Sequence, residues 1–543
     1  MKKLLFIVLL LLCLIAVPYK GIGAEEIVQA DLVIEYVRVF TMDKANEEAE
    51  AVAVKNGKFV YVGDREGVQA YKGPQTRVMY MDNRLMLPGF IDGHNAAYLK
   101  AEKMFWLDLS SFSTFEEYEK AIFSYRAQHP QLKQLCAVGW NQKVTEEAWG
   151  KSGKTPRDLI DQLVHDIPFV AFSAHRDELW VNSKTLEISG LDHIEHGLTE
   201  TGEASGIIPG QFTDMVVQAL PQPDFSVEQY KKALIKYQED AARYGITAAF
   251  VPLGNHSENV LKAFDELDRK NLLTMTYELG IYVDPLKDLD QIELFKEWRE
   301  IYQGKNYSVQ TAKMNYTENA VWEKEKFLDM LDLLDREGFR IHVEAEKELH
   351  MIFEGFEYAR VRNGKKNFKH VISHMPIVTN DDLTNFRKFR IIPSVQPAIF
   401  HQSIDAGKED ELKNWHRMKS YFEKGLPVSS FSNFPDGELN PLYGIETGMT
   451  RLHWNDEKSQ KPLWPKESAT LKQMLRSYTI YAARQIGREA QLGKIRVGMQ
   501  ADFIILDKNI FRVPPGEISE AKVILTYFKG KETYRDESEI GGQ

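Results

Sequence analysis

Apolar runs rich in β-branched and aromatic residues begin soon after the N-terminus and alternate with polar positions. Residues 31–42 form one such run, and residues 51–63 form two shorter runs separated by Asn56-Gly57. The Asn-Gly pair favours a two-residue hairpin turn, because both central residues of that turn take positive φ. This part of the chain therefore predicts a hairpin beside a further strand.

The far end of the chain repeats the strand pattern in residues 501–507 and 523–534. Two strand-rich ends surround a middle of different character, which indicates that the two ends fold together. We therefore predict a small composite β-sandwich domain formed by residues 25–86 and 490–543.

The middle of the chain alternates short apolar runs with stretches of helical spacing. Residues 323–337 give one example, with Phe327 and Leu334 on the same helix face. The predicted strands are Leu85–His94, Ile246–Pro252, Thr274–Val283, Ser308–Tyr316, Phe339–Ala345, Phe368–His374, Ile391–Pro397 and Leu426–Asn433. Eight strands that alternate with helices predict an α/β fold, a parallel (β/α)8 TIM-like barrel over residues 87–489.

One connection in this barrel is far longer than a loop. About 145 residues, roughly 97–241, separate the first predicted strand from the second, and they contain helical and strand patterns of their own. We predict an inserted subdomain after the first barrel strand.

The N-terminus has the pattern of a signal peptide. Two lysines precede Leu4–Val17, an apolar run that is too short to span a bilayer and is ended by Pro18. Small residues up to Ala24 offer a cleavage site. We expect residues 1–24 to be removed and the protein to be exported to an extracellular, periplasmic or cell-envelope location. Lipidation at Cys13 and an uncleaved anchor are the alternatives.

The composition excludes several classes of protein. The hydrophobic and charged fractions, 43% and 27%, are ordinary for a globular chain and exclude a largely disordered one. The net charge of −11 lacks the basic surface that nucleic-acid binding needs. Cys136 is the single cysteine left after removal of the signal, so no intramolecular disulfide forms. We expect a small-molecule substrate or ligand, no nucleic-acid partner and no stable membrane insertion.

Candidate chemistry lies at the carboxyl ends of the predicted strands, where barrels of this type carry their reactive groups. The side chains there are Asp92, His94, Lys313, Glu344, His374 and Asn433. Two imidazoles and a carboxylate that converge on one barrel mouth predict a divalent metal site. His342 and His370 lie deeper in their strands, and we assign them to barrel packing or to support of the ligands. The other histidines show no ligand spacing and are interpreted as surface or structural residues.

The segment Pro88-Gly-Phe-Ile-Asp-Gly-His94 resembles the metal-binding signature of the amidohydrolase superfamily. Further segments narrow the resemblance to the amidohydrolase-3 or YtcJ-like branch, which includes N-substituted formamide deformylases and exoenzyme-regulator-like proteins. They are Gly139–Gln142, Leu179–Lys184, Ser394–Pro397, Tyr478–Arg484 and Leu492–Asp507. The resemblance implies a metal-dependent barrel that cleaves C–N or related bonds, and a homodimer.

The sequence departs from this family pattern at several positions of the site. The His-x-His of the first strand is here His94-Asn95-Ala96, so the second ligand is missing. The resemblance places the fifth-strand histidine at Glu344 and the proton-accepting aspartate of the eighth strand at Asn433. An amide cannot accept a proton near neutral pH.

Other family positions are kept or remain open. The resemblance assigns the sixth-strand histidine to His374 and the fourth-strand lysine, carbamylated in some members, to Lys313. A substrate-contacting histidine falls on Asp177, and Trp140 and Asn141 are further substrate-binding candidates, with a role in the core of the insertion as the alternative. Glu346, Asp436 or Asp177 would have to replace the lost base.

Three functions follow from these residues. The first is a hydrolase of non-peptide amide-type C–N bonds with one divalent metal, zinc first, held by His94, Glu344, His374 and Lys313. The second is a catalytically inactive relative without metal that binds a ligand or regulates another protein. The third is metal-free acid–base chemistry by Lys313, Glu344 and His374.

Overall fold

The computed structural model describes residues 28–173, 178–191, 204–220, 225–254, 258–317, 322–346, 349–366, 369–402, 413–455 and 461–540. The predicted signal peptide lies outside these residues, and so does Asp177. Across the described ranges, no helix combines the length and the apolar character needed to cross a membrane.

The strands fall into three sheets. In chain order they are β1 Leu32–Phe40, β2 Glu48–Lys55, β3 Lys58–Gly63, β4 Arg77–Tyr80, β5 Leu85–Pro88, β6 Phe90–Asp92, β7 Leu107–Asp108, β8 Leu135–Trp140, β9 Phe169–Ser173, β10 Glu178–Val181, β11 Ile207–Pro209, β12 Ile246–Pro252, β13 Thr276–Tyr282, β14 Tyr307–Tyr316, β15 Arg340–Ala345, β16 Val371–Ser373, β17 Ile392–Val395, β18 Ser429–Ser430, β19 Phe503–Leu506, β20 Val523–Phe528 and β21 Lys531–Arg535.

The α-helices lie mainly between strands of the barrel and of the insertion. They are α1 Lys100–Phe105, α2 Phe115–Gln128, α3 Gln142–Ser152, α4 Pro156–Asp161, α5 Ser183–Ser189, α6 Gly210–Ala219, α7 Val227–Arg243, α8 Asn259–Arg269, α9 Gln291–Ile301, α10 Lys324–Arg336, α11 Leu349–Asn363, α12 Asn380–Phe389, α13 Lys419–Glu423, α14 Pro441–Thr450, α15 Leu471–Ser477 and α16 Ile480–Gln485. In α10, Phe327, Leu331 and Leu334 are fully buried against the barrel, as their spacing predicts.

The barrel contains the eight predicted strands. β6, β12, β13, β14, β15, β16, β17 and β18 are neighbours in this order, and every pair is parallel. The two edges meet through the Gly93 N–H, which donates to the Ser430 carbonyl at 3.0 Å. The predicted TIM-like barrel is therefore confirmed.

The run predicted as one strand, Leu85–His94, is divided in the structure. β5 belongs to the terminal β domain and β6 to the barrel, with Gly89 between them. A Cβ atom at Gly89 would overlap the Thr247 side chain, so the chain crosses between the two sheets where only glycine fits. A continuous apolar run cannot reveal such a change of sheet.

The terminal strands form one sheet with the order β21-β20-β19-β5-β1-β2-β3, and β4 pairs with β1. The Asn56-Gly57 turn joins antiparallel β2 and β3, and both residues have positive φ, as predicted. Apolar side chains from both ends of the chain, including Ile34, Phe59 and Phe503, share a core of their own. The composite β domain is therefore present.

The insertion has its own five-stranded sheet with the order β11-β10-β9-β8-β7. Its core contains Trp140 and Trp180, which are both almost completely buried. α7 follows this sheet in the chain but packs on α8 and on β12, so it covers the barrel wall. The sheet of the insertion thus ends before α7.

Asp502 is a buried carboxyl group at the start of β19 in the β domain. Its Oδ1 atom accepts a hydrogen bond from the Lys529 N–H at 2.7 Å, and Oδ2 accepts one from Gln500 Nε2 at 3.3 Å. Burial raises the pKa of Asp502 to about 6, although these two partners lower it.

The raised pKa of Asp502 predicts a pH-dependent stability. The folded protein favours the protonated form of Asp502, whose pKa in the unfolded chain is about 4. The contribution of this group to stability is therefore complete below about pH 4 and is lost as the pH rises through about 6. Between about pH 4 and 7.5, the free energy of unfolding of the wild type should fall relative to Asp502→Asn by about 1–3 kcal/mol. Urea unfolding at both pH values measures this, and parallel pH profiles of the two proteins would contradict it.

Candidate metal centre

His94 follows β6 directly, and a buried carboxylate fixes the turn that carries it. Asp92 accepts hydrogen bonds from the Ser432 N–H at 2.9 Å, the Ser432 hydroxyl at 2.5 Å and the His94 N–H at 3.3 Å. These bonds tie the end of the first barrel strand to the segment after β18. Asp92 therefore positions His94 and does not face the ligand atoms.

Three predicted ligands come together at the mouth of the barrel. His94, Glu344 and His374 each offer one ligand atom, and these atoms all lie within 4.8 Å of one another. They come from the ends of β6, β15 and β16, as the position of reactive groups in such barrels predicts.

His94 is the most enclosed of the three. Its side chain lies against the rings of Phe431 and His374, with ring centroids 5.3 and 4.6 Å away. Burial, followed by the charges of His374 and Lys313, holds the pKa of His94 well below its usual range. The imidazole is therefore neutral, and its Nδ1 atom is buried without a hydrogen-bond partner in the described part of the chain.

Glu344 forms an ion pair with Lys313. Lys313 Nζ lies 2.5 Å from Glu344 Oε2 and also donates to Asn315 Oδ1. Burial raises the pKa of Glu344, but the charges of Lys313 and His374 outweigh it and bring the value to about 2. Glu344 is therefore an ionised carboxylate at neutral pH, as a metal ligand must be. In this ion pair Lys313 is a hydrogen-bond donor to Glu344, and a lysine paired in this way offers no lone pair to a metal.

A hydrogen-bonded chain orients His374. Its Nε2 atom lies 3.0 Å from Asn433 Oδ1, and its Nδ1 atom lies 3.1 Å from the Ser373 hydroxyl. Ser373 is in turn 2.8 Å from Nε2 of the fully buried His342. His342 also stacks on Phe250, so it combines the two predicted roles of packing and support.

Both His374 and Asn433 adopt left-handed backbone conformations, with φ of 60° and 61°. Such values are uncommon for residues with a Cβ atom and cost free energy unless the surroundings fix them. The left-handed conformation is unusual for His374 and common for Asn433. The two side chains face each other across a 3.0 Å contact.

The remaining predicted residues are spread more widely. Ala96 brings no side-chain donor and uses its N–H to contact the Phe434 carbonyl at 2.8 Å. Trp140 is packed in the core of the insertion, and the Asn141 side chain caps α3 by accepting from the Lys143 N–H at 3.1 Å. His370 lies at the other end of β16, where its Nδ1 accepts from the Ile341 N–H.

The sequence did not single out Ser373 or Asn315 as parts of the site. Each is adjacent to a candidate residue or two positions from one on the same strand, which is the one signal that could have found them. Ser373 contacts His342 on the neighbouring strand β15, and spacing along one strand does not specify such a contact. Asn315 contacts Lys313 within β14.

The donor set fits one divalent ion. Two imidazoles and one carboxylate leave a fourth position open, which is the composition of catalytic zinc sites. The unpartnered, buried Nδ1 of His94 agrees with this fit, because a buried nitrogen without a partner is costly unless a ligand satisfies it. Ala96, which the resemblance places at a histidine of the family pattern, adds no side-chain ligand to this set.

Comparisons with known proteins agree with this architecture. N-substituted formamide deformylase of Arthrobacter pascens is 22% identical over an alignment of 545 positions, gaps included. The alignment covers 92% of this chain and 97% of the relative. A metal-dependent hydrolase from Pyrococcus horikoshii OT3 matches with a TM-score of 0.69 at 18% identity, over 89% of this chain and 99% of that one.

The zinc complex of atrazine chlorohydrolase TrzN from Arthrobacter aurescens TC1 matches with a TM-score of 0.56 at 12% identity, over 93% of this chain and 96% of that one. At such identities the two structural matches show the fold. The amidohydrolase family model matches residues 78–534, which is most of the sequence. As the motif that ends in His94 predicts, this chain belongs to the amidohydrolase family.

Proposed function

We propose that this protein hydrolyses amide-type C–N bonds, other than peptide bonds, in small molecules. We infer that it uses one divalent metal ion, with zinc as the first candidate and His94, Glu344 and His374 as the ligands. The observation that carries the proposal is the convergence of these three side chains within 4.8 Å at the mouth of an amidohydrolase barrel. Hydrolases of C–N bonds among the relatives, such as the formamide deformylase, support the reaction class.

A metal held by these ligands would supply a Lewis acid that polarises the carbonyl of the scissile bond. The Asp92 network holds His94 in place, and the bond between His374 Nε2 and Asn433 orients the His374 ring. Nδ1, which lies on the side of Glu344, would be the nitrogen that binds the metal. The Lys313 ammonium is suited to donate a hydrogen bond to the oxygen that gains negative charge in the transition state.

The proton of the attacking water needs a carboxylate acceptor. Asn433 cannot take this role, because a neutral amide has no basic site near neutral pH. Asp436 lies in the same turn, where its N–H donates to the Asn433 carbonyl at 3.0 Å. Glu346 follows the end of β15 two residues after Glu344, and Asp177 lies outside the described residues. We retain these three as the candidate bases.

Export and assembly complete the proposal. The signal pattern in residues 1–24 supports an exported enzyme, and the family resemblance supports a homodimer. The acidic charge supports a small-molecule substrate over a nucleic acid.

Removing a ligand should remove the metal. We expect purified wild-type protein to contain about one zinc ion per chain, and His94→Ala or His374→Ala to lower this by at least about tenfold. Metal analysis of each protein measures the zinc content, and assays on N-formyl and N-acyl amides measure the rate of hydrolysis. His350→Ala, on an exposed histidine of α11, is the matched control. A wild type without metal after incubation with zinc, manganese and iron would contradict the proposal.

The second candidate function is a ligand-binding protein without catalysis. The hydrogen bond between Asn433 and His374 favours this second function. Asn433 stands at the position of the family aspartate, and its amide cannot act as a general base. Saturable amide binding without turnover in metal-loaded protein would support this alternative.

A further inference from the structure

Lys313 is a buried cation inside the candidate metal centre. Its side chain is 5% exposed, so the ammonium group is packed among protein atoms and cannot move into solvent as a surface lysine does. Nζ donates to Glu344 and to Asn315, which are paired across β14 and β15. The ammonium group is thus fixed beside one of the three metal ligands.

This placement changes the charge of the centre. Glu344 is the single formal anion among the three ligands, because neutral imidazoles ligate through a lone pair. The Lys313 ammonium offsets the charge of that carboxylate through the ion pair. The Asp92 carboxylate, two residues before His94, binds Ser432 and the His94 backbone.

A divalent ion bound to Glu344 would therefore lie close to a fixed positive charge. Two positive charges held close together repel each other, and the repulsion is stronger beside buried groups than in water. The ammonium group already makes the electrostatic contact with Glu344 Oε2 that a metal would make with this carboxylate.

We propose that Lys313 is an internal competitor of the metal, which pairs with Glu344 when the centre is empty and limits how tightly a divalent ion binds. The inference rests on the metal site of the proposed function, and it adds the residue that sets the occupancy of this site. Removal of the positive charge strengthens metal binding, even though Lys313 touches the ligand set.

The test compares zinc and manganese dissociation constants of the full chain, measured by competition with a chelating dye. Lys313→Met and Lys313→Gln should each bind at least about tenfold more tightly than the wild type. Gln keeps a hydrogen-bond donor for Glu344, so it serves if the Met variant folds poorly. Lys100→Met, which breaks the Lys100–Asp240 ion pair of 2.7 Å outside the ligand set, should bind as the wild type does.

A second readout is independent of the dye. Zinc should raise the midpoint of thermal unfolding more in the Lys313 variants than in the wild type, because a ligand that binds the folded state more tightly stabilises it more. Equal or weaker zinc binding in both folded Lys313 variants, with loss of zinc in His94→Ala, overturns the inference and leaves the proposed metal site standing. Absence of metal from every variant overturns both.

Discussion

Asn433→Asp should raise kcat/KM for amide hydrolysis by about 10²-fold or more in metal-loaded protein. The expected gain is the ordinary contribution of a positioned general base, about 10² to 10⁴ in rate. In the wild type this position offers an amide oxygen 3.0 Å from His374 Nε2. A carboxylate in its place would keep that hydrogen bond and add a group that can accept a proton from water.

The backbone favours this substitution. Asn433 has a φ of 61°, and Asn and Asp are the residues other than glycine that tolerate this left-handed conformation best. The Asn433 N–H donates to the His94 carbonyl at 3.1 Å, a contact that does not involve the side chain. The variant should therefore fold as the wild type does, and a change in rate would report on chemistry.

The measurement is kcat/KM on a series of N-formyl and N-acyl amides at equal metal occupancy. Asn440→Asp is the matched control, because Asn440 is also partly enclosed and follows β18, but its side chain caps α14 by accepting from the Leu442 N–H. A measurable wild-type rate that stays unchanged in Asn433→Asp at full metal occupancy would show that another carboxylate already serves as the base. It would also remove the main support for a ligand-binding protein without catalysis.

Much of the fold could be predicted because barrel strands are short, apolar and buried on both faces. β12, for example, is buried at every position, and its bounds match the prediction. β5 and β6 could not be separated, because an apolar run looks the same in either sheet. The crossing depends on the close approach of Gly89 to Thr247, which is a contact between distant parts of the chain.

In the candidate metal centre, too, some features could be predicted from the sequence and others could not. His94, Glu344 and His374 could be predicted, because each ends an apolar strand and family motifs mark two of them. The pairing of Lys313 with Glu344 could not, because it depends on the register between β14 and β15. Positions along one strand give the face on which a side chain lies, but they give no distance to the next strand.

The opposite end of the barrel holds a buried charge network that should dominate stability. Glu278 in β13 is 1% exposed and binds the Arg340 guanidinium at 2.6 Å. The same carboxylate accepts from the Thr311 hydroxyl at 2.7 Å and the Ser308 hydroxyl at 2.5 Å. These groups come from three neighbouring strands, β13, β14 and β15, so a single carboxylate fixes the register among them.

Glu278→Ala should therefore lower the free energy of unfolding by about 3–5 kcal/mol, because it leaves the largely buried Arg340 guanidinium without its carboxylate partner. Glu354→Ala is the control: it breaks the Lys324–Glu354 pair of 2.8 Å on exposed helix surfaces and should cost less than about 1 kcal/mol. Urea unfolding of the wild type and the two variants measures both losses in stability.

Glu278 lies near the amino ends of the strands and away from the ligands, so the zinc affinity of the folded Glu278→Ala protein should equal that of the wild type. A loss below about 1 kcal/mol would show that Arg340 finds another partner or reaches water.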